Sequence, residues 1–300
     1  MSRAGSPIVI FLVWASCISA VCAGPGWADP SDPDGSLPDT ERWVPAFGVY
    51  NAIGLHKIEG LVDSTAQGPI DGEDLDTHIR MEGQLELMTP ALFSSLGEPR
   101  LFVRGGAGRA WDSRRDVAKT GDPGRAVIPF VPGNIPPPLE AVTGQGSATR
   151  TQWKPYFYTL SAGLAWSFPL GERTLRLKPS AEYRYTAIEI EGVITEVLSS
   201  DGSGNCPCSI GQVSTKEQKD LHLLGGGLEI EVDTARAGPV LVSLFGSGQA
   251  YRTLSGRKLR TSRSGLFDDG MSPIDVSSRV LLDEWSFSLG VGVRLRWVPE

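Results

Sequence analysis

Cysteine, histidine and long apolar runs are scarce in this sequence, and each scarcity closes off a class of protein. There are four cysteines in 300 residues. Cys17 and Cys22 lie in the N-terminal segment, and Cys206 and Cys208 form a Cys-Pro-Cys tripeptide far along the chain. An oxidised pair is allowed in an exported chain, but a metal or redox site would need more partners than the sequence supplies. Histidine occurs three times, at His56, His78 and His222. No run of about 18 apolar residues is free of turn formers, which excludes a convincing helical membrane span. Excess positive charge is missing too. Lys and Arg total 28 against 35 Asp and Glu, a net charge of −7, so no nucleic-acid partner is expected.

What is present begins with an export signal over residues 1–28. Arg3 gives the positive end, Ile8–Ala15 the apolar core, and small residues at Val21-Cys22-Ala23 and Gly26-Trp27-Ala28 allow cleavage after Ala23 or Ala28. A lipoprotein signal with Cys17 or Cys22 acylated is the rival, and the residues before each cysteine fit it poorly. Residues 29–42 are rich in Pro, Asp and Ser and read as a flexible periplasmic leader.

The clearest pattern lies at the other end. Trp285, Phe287, Leu289, Val291, Val293, Leu295 and Trp297 alternate with Ser286, Ser288, Gly290, Gly292, Arg294 and Arg296. Period-two alternation sorts the two sets onto opposite faces of a strand. The span between the two tryptophans is roughly 40 Å at ~3.3 Å per residue. Tilted by about 45°, it rises roughly 28 Å, close to the ~25 Å apolar band of an outer-membrane barrel with aromatic girdles. A strand of a soluble sandwich alternates in the same way, so the remaining segments must decide.

Seven further alternating segments are found, at 43–55, 75–88, 100–111, 153–168, 173–187, 220–233 and 239–254, before the last at 281–298. Pro179 suggests a bulge in the fifth. The connections alternate long and short. Long ones are expected as irregular loops at 56–74, 112–152 (stiffest from Pro132 to Pro138), 190–219 and 255–280. An even strand number with short turns on one side and long loops on the other is the rule for outer-membrane barrels, and a soluble sandwich has no reason to keep it. The expected fold is all-β, an eight-stranded antiparallel up-and-down transmembrane barrel over residues 43–300.

This plan resembles the small eight-stranded outer-membrane barrels of the OmpA/OmpX and opacity-protein type. The final Gly290-Val291-Gly292-Val293-Arg294-Leu295-Arg296-Trp297 resembles the C-terminal signal read by the barrel-assembly machinery. It departs from that signal in having Gly290 at the usual polar position and Val298-Pro299-Glu300 beyond the aromatic. The resemblance implies a location in the cell outer membrane and contact with lipid and lipopolysaccharide. It implies no particular activity.

Eight strands leave an interior just wide enough for side chains to fill it. By the strand phases, Arg80, Arg104, Arg176, Lys178, Arg184, Arg294 and Arg296 face inward against Glu82, Glu86, Glu182, Glu229, Glu231 and Glu284. A buried ion without a partner costs several kcal/mol, so a salt-bridged plug is expected. Arg176 and Lys178 should lie beside Glu229 and Glu231, and Arg104 beside Glu86. Tyr156, Trp166, Trp285 and Trp297 are assigned to the aromatic girdles.

Arg252, Arg257, Lys258, Arg260 and Arg263 form a basic cluster suited to lipopolysaccharide phosphates. The acids from Glu59 to Asp76 lack the fixed spacing of a calcium loop. Gly105-Gly106-Ala107-Gly108 lacks the Lys-Ser/Thr of a phosphate loop. No cofactor or metal is expected. The favoured role is structural or surface-interacting, through four extracellular loops whose ligand the sequence does not name. The alternatives are a lipid A-modifying enzyme using rim residues His56, His78 and His222, and a narrow channel.

Overall fold

The computed structural model describes residues 42–65, 68–93, 97–111, 114–124, 144–199 and 208–298. The export signal and, but for Arg42, the leader fall outside these residues, as do Pro132 to Pro138 and Cys206. One sheet contains eleven strands: β1 (Val44–Ser64), β2 (Gly68–Met88), β3 (Arg100–Ala110), β4 (Arg115–Gly121), β5 (Gly146–Trp153), β6 (Tyr156–Leu170), β7 (Arg173–Ser199), β8 (Cys208–Ala237), β9 (Val240–Thr253), β10 (Lys258–Leu266) and β11 (Pro273–Trp297).

Eight of them close a ring in the order β1-β2-β3-β6-β7-β8-β9-β11, with β11 pairing back to β1. Every pairing in it is antiparallel. A closed ring leaves no strand edge open to lipid. The short turns at Gly171 and Gly238 both have positive φ, at 62° and 55°, where glycine carries no Cβ penalty. Pro179 causes no register shift. It pairs with Leu228 in step with its neighbours, and the shifts occur instead between His56 and Ile58 and between Asp233 and Ala235.

The largest departure from the sequence reading concerns the long connections. Most of what was expected as irregular loop is sheet. β1 and β2 run past the bilayer, β1 to Ser64 and β2 from Gly68, β7 reaches Ser199, β8 starts at Cys208, and β11 starts at Pro273. β4 and β5 add to β7, and β10 adds to β11. The result is a β-extension made of two facing halves, β2-β1-β11-β10 and β4-β5-β7-β8. Its interior is largely apolar, with buried hydroxyls such as Thr149 and Ser278 bonded to each other. Ile58, Val117, Trp153, Ile188, Ile190, Leu221, Leu223, Leu259, Val280 and Leu282 form one buried cluster. Val62, Ile194, Val213, Phe267, Ile274 and Val276 form a second. Each fully buried Ile, Leu or Val contributes roughly 1.5–3 kcal/mol, so a segment with this inner face closes into sheet. Gly60 and Gly72 let β4 lie tightly on β1 and β2, because a Cβ on either would run into Val117.

The physical reason is an inversion of polarity along single strands. On β1, Phe47, Val49, Ile53 and Leu55 face outward, with Tyr50, Ala52 and His56 inside. Past Lys57 the same two faces exchange character. Ile58 and Val62 are fully buried, while Glu59 and Asp63 are exposed. On β11 the switch falls at Trp285, with Arg294, Arg296 and Ser288 inside below it and Leu282, Val280 and Val276 inside above it. On β7 it falls between Thr186 and Ile188. Below the switch the outer medium is hydrocarbon, and above it the outer medium is water.

A matched pair of substitutions tests this boundary. Leu289 is 62% exposed on the belt. Leu289→Lys is expected to cost ~2–4 kcal/mol in urea unfolding from lipid vesicles, as for lysine near a bilayer midplane. Ser277→Lys, on the same side of β11 above the switch, should stay within ~0.5 kcal/mol of the parent.

Candidate functional site

The interior of the ring is built from side chains that the inward phase of each strand delivers. Nearest the periplasmic end, Arg104 lies 3.1 Å from Glu86 and 2.8 Å from Glu229. Lys178 is 2.6 Å from Glu86, 3.2 Å from Glu229 and 3.5 Å from Glu231. Arg176 reaches Glu231 at 3.6 Å and also pairs with Asp233. Arg294 contacts Glu231 at 2.5 Å and pairs with Glu229, and Arg296 lies 2.6 Å from Glu231 and 3.3 Å from Glu86. Phe102 and Phe245 supply ring faces to Lys178 and Arg294 at 4.6 and 4.2 Å. Each of these ions touches two or more partners, which is what offsets the cost of taking it out of water.

A second layer lies above. Arg184 is 3.0 Å from Glu182, and the Tyr251 hydroxyl donates to Glu182 at 2.5 Å. Thr159 donates to Glu82, and Arg80 donates to Ser288 and, at 3.2 Å, to Gln249. Tyr50 stacks on Phe245 with centroids 5.7 Å apart.

Apolar groups close both ends. Val44, Met88, Phe102, Ala165, Leu241 and Val298 cluster at the periplasmic mouth, and the extension core covers the other end. A cavity of about 30 Å³ remains beside His56, His78, Arg80 and Trp153, and one of about 20 Å³ beside Arg100 and Arg296. Each has room for no more than a water molecule or two.

The structure does not place Glu284 in the lumen. Between His56↔Ser286 and Ile58↔Leu282 the β1–β11 register opens, so Lys57 faces Asp283, Glu284 and Trp285 together. This bulge turns Glu284 outward, where it meets Arg252 at 2.5 Å. Asp233, Gln249 and Tyr251 belong to the interior and were missed, while Gln84 is buried there as the inward phase of its strand requires. Asp233 could have been found by carrying the odd phase of β8 one step further. Gln249 and Tyr251 were hidden because β9 has Gly246 and Gly248 where its outward apolar row should continue.

The histidines do not converge. His56 and His78 flank Trp153 from inside, with centroids 5.6 and 5.0 Å away, and Trp153 donates to Asp76. His222 sits on the outer wall, where Tyr183 Oη is 2.6 Å from its Nδ1. Tyr156, Trp285 and Trp297 are exposed on the belt, and Trp166 is half-buried beside Gly97. Of the basic cluster, Lys258 and Arg260 are exposed on β10, Arg257 precedes them half-buried, and Arg263 donates to Ser214 O at 3.2 Å. On the extension wall, the Lys154 ammonium, 2.5 Å away, holds the Glu189 carboxyl below the usual carboxylate range.

Apolar side chains outward and ions inward, in a closed ring of eight strands the height of a bilayer, make this an outer-membrane β-barrel. No family model matches the sequence, and a search of curated proteins finds no match. Among solved structures, the chain is similar to a major outer membrane protein from Thermus thermophilus at 17% identity, over 84% of this chain and 99% of that one, with a TM-score of 0.34. It is also similar to the outer membrane protease OmpT from Escherichia coli at 9% identity, over 88% and 99%, with a TM-score of 0.29. The attachment invasion locus protein Ail of Yersinia pestis aligns at 10% identity over 82% and 97%, with a TM-score of 0.23. Likenesses this distant say nothing of what the chain binds or does.

Proposed function

We propose that this barrel is a sealed, non-catalytic pedestal that fixes a folded β-extension above the outer membrane for surface interaction. The observation that carries the reading is the continuity of the filling. An apolar cap, two layers of paired ions and an apolar extension core follow one another along the axis. Opening a pore would mean stripping Arg294 or Lys178 of several carboxylate partners at once. The outward Leu295 and Trp297 of β11 are the groups that the barrel-assembly machinery would read during insertion.

Reconstitution in a planar bilayer is expected to give no steady conductance, and large, steady channels would overturn the reading. Intact-lipid mass spectrometry tests the catalytic side of it. Lipid profiles should be the same with and without the protein, and the same for a His56→Ala, His78→Ala, His222→Ala variant. A lipid product that depends on those histidines would make the protein an enzyme.

A further inference from the structure

The wall where β10 meets β11 carries cations that form no ion pair among the described residues, although Glu59 and Asp63 stand diagonally across from Arg279 on β1. Arg260 and Arg279 stand directly opposite each other in the β10–β11 register, and both are exposed. Like charges placed directly opposite destabilise a sheet. Lys258 is next along the same face, Arg257 precedes it, and Lys219 reaches across from β8 to bring its Nζ 3.0 Å from Lys258 O. Among the described residues, no carboxylate lies within 4.0 Å of any of these five side chains.

Elsewhere on the extension most cations are paired with carboxylates; Arg263, farther along β10, donates instead to Ser214 O. Lys57 meets Glu73 at 3.0 Å, Arg150 meets Asp116 at 2.8 Å, Lys154 meets Glu189 at 2.5 Å, and Lys216 meets Glu189 and Glu191 at 3.5 Å. Arg252 is neutralised by Glu284. The unpaired charge is therefore local to one face.

Its height identifies the occupant. Lys258 pairs with Leu281, and Trp285 marks the upper girdle. That separation is at most ~13 Å of strand, and for the Arg260–Arg279 pair at most ~20 Å, at ~3.3 Å per residue, or roughly 9–14 Å of height at a tilt of about 45°. The cations thus stand in the headgroup zone, directly above the exposed Leu254, Trp285 and Phe287 of the apolar belt. A ligand that fits has acyl chains below and several negative charges above.

We propose that Lys219, Arg257, Lys258, Arg260 and Arg279 form a seat for the phosphate groups of outer-leaflet lipopolysaccharide. The guanidinium groups of Arg260 and Arg279 take phosphate oxygens in paired hydrogen bonds, and the two lysines act as point charges. A phosphate between the two arginines converts their repulsion into a bridge. The seat deepens the pedestal reading by naming its membrane partner, and it lacks Arg252, which Glu284 neutralises, and Arg263, which lies farther along β10 and donates to Ser214 O.

The test uses the full barrel in phosphatidylcholine nanodiscs, with retention of lipopolysaccharide compared with that of its enzymatically dephosphorylated form. The parent should prefer the phosphorylated form by about tenfold or more, a difference of about 1.4 kcal/mol. Arg260→Gln with Arg279→Gln should bring the preference close to unity. Arg260→Gln alone should raise the urea midpoint of the lipopolysaccharide-free barrel, because it removes the like-charge pair; a purely structural role for Arg260 would lower it. Equal retention of both forms by the parent would overturn the proposal without needing any variant. Displacement by equimolar inorganic phosphate would overturn the lipid as its source. Conductance does not depend on these residues, so the seat and the sealed lumen fail separately.

Discussion

Arg294→Met is expected to lower the stability of the folded barrel by ~3–5 kcal/mol, the cost of breaking a buried ion pair from one side. Arg294 is fully buried among Glu86, Glu229 and Glu231. Removing it leaves Glu229 with Arg104 and Lys178, and Glu231 with Arg176, Lys178 and Arg296. Methionine keeps the packing on Phe245, so the loss reports charge rather than volume. Urea unfolding in vesicles, read by heat-modifiable migration on a gel, gives the number. A second substitution, Glu229→Gln, should cost less in the Arg294→Met background than in the parent, because the carboxylate it removes has already lost a partner. Full additivity of the two would mean that the lumen ions do not act as a network.

The second large effect lies above the bilayer. Ile190 is fully buried in the extension core. Ile190→Asp should destabilise the extension by at least ~2–5 kcal/mol, the cost of deleting the apolar side chain alone, with burial of the carboxyl added to that. The damage should stay local. Amides of β4, β5, β10 and the outer ends of β7 and β8 are expected to lose hydrogen-exchange protection, while the membrane ring keeps its own and still migrates as a folded barrel. Equal loss of protection in β3 and β9 would show that ring and extension form one cooperative unit. The reason to expect two units is that their cores have opposite chemistry and meet in one narrow layer around His56, Trp153, Thr186 and Tyr251.

Legibility in the sequence followed the outer medium. Where lipid lies outside, the outward row must be apolar, so Trp285 to Trp297 announced both strand and face, and Arg294 and Arg296 were assigned to the interior by parity alone. Where water lies outside, the outward row is charged and less regular. Glu59, Asp63 and Glu191 then looked like loop, although Ile58, Val62 and Ile190 kept the same period on the other face. Among the candidate residues, the bulge at Trp285 turned Glu284 outward. No local pattern marks it, because it is set by the pairing of β11 with Lys57 on a strand more than two hundred residues away.

Alternation along the chain was enough to indicate the eight-strand ring, the order of its strands and, within the lipid belt except along upper β9, the sign of each face, because a two-residue period beside hydrocarbon admits one phase. It left open which ions meet across the lumen, that the long connections fold into a second, apolar core, and that Arg260 faces Arg279. Those depend on register between distant strands, and register is set by the closure of the whole barrel rather than by any segment of it.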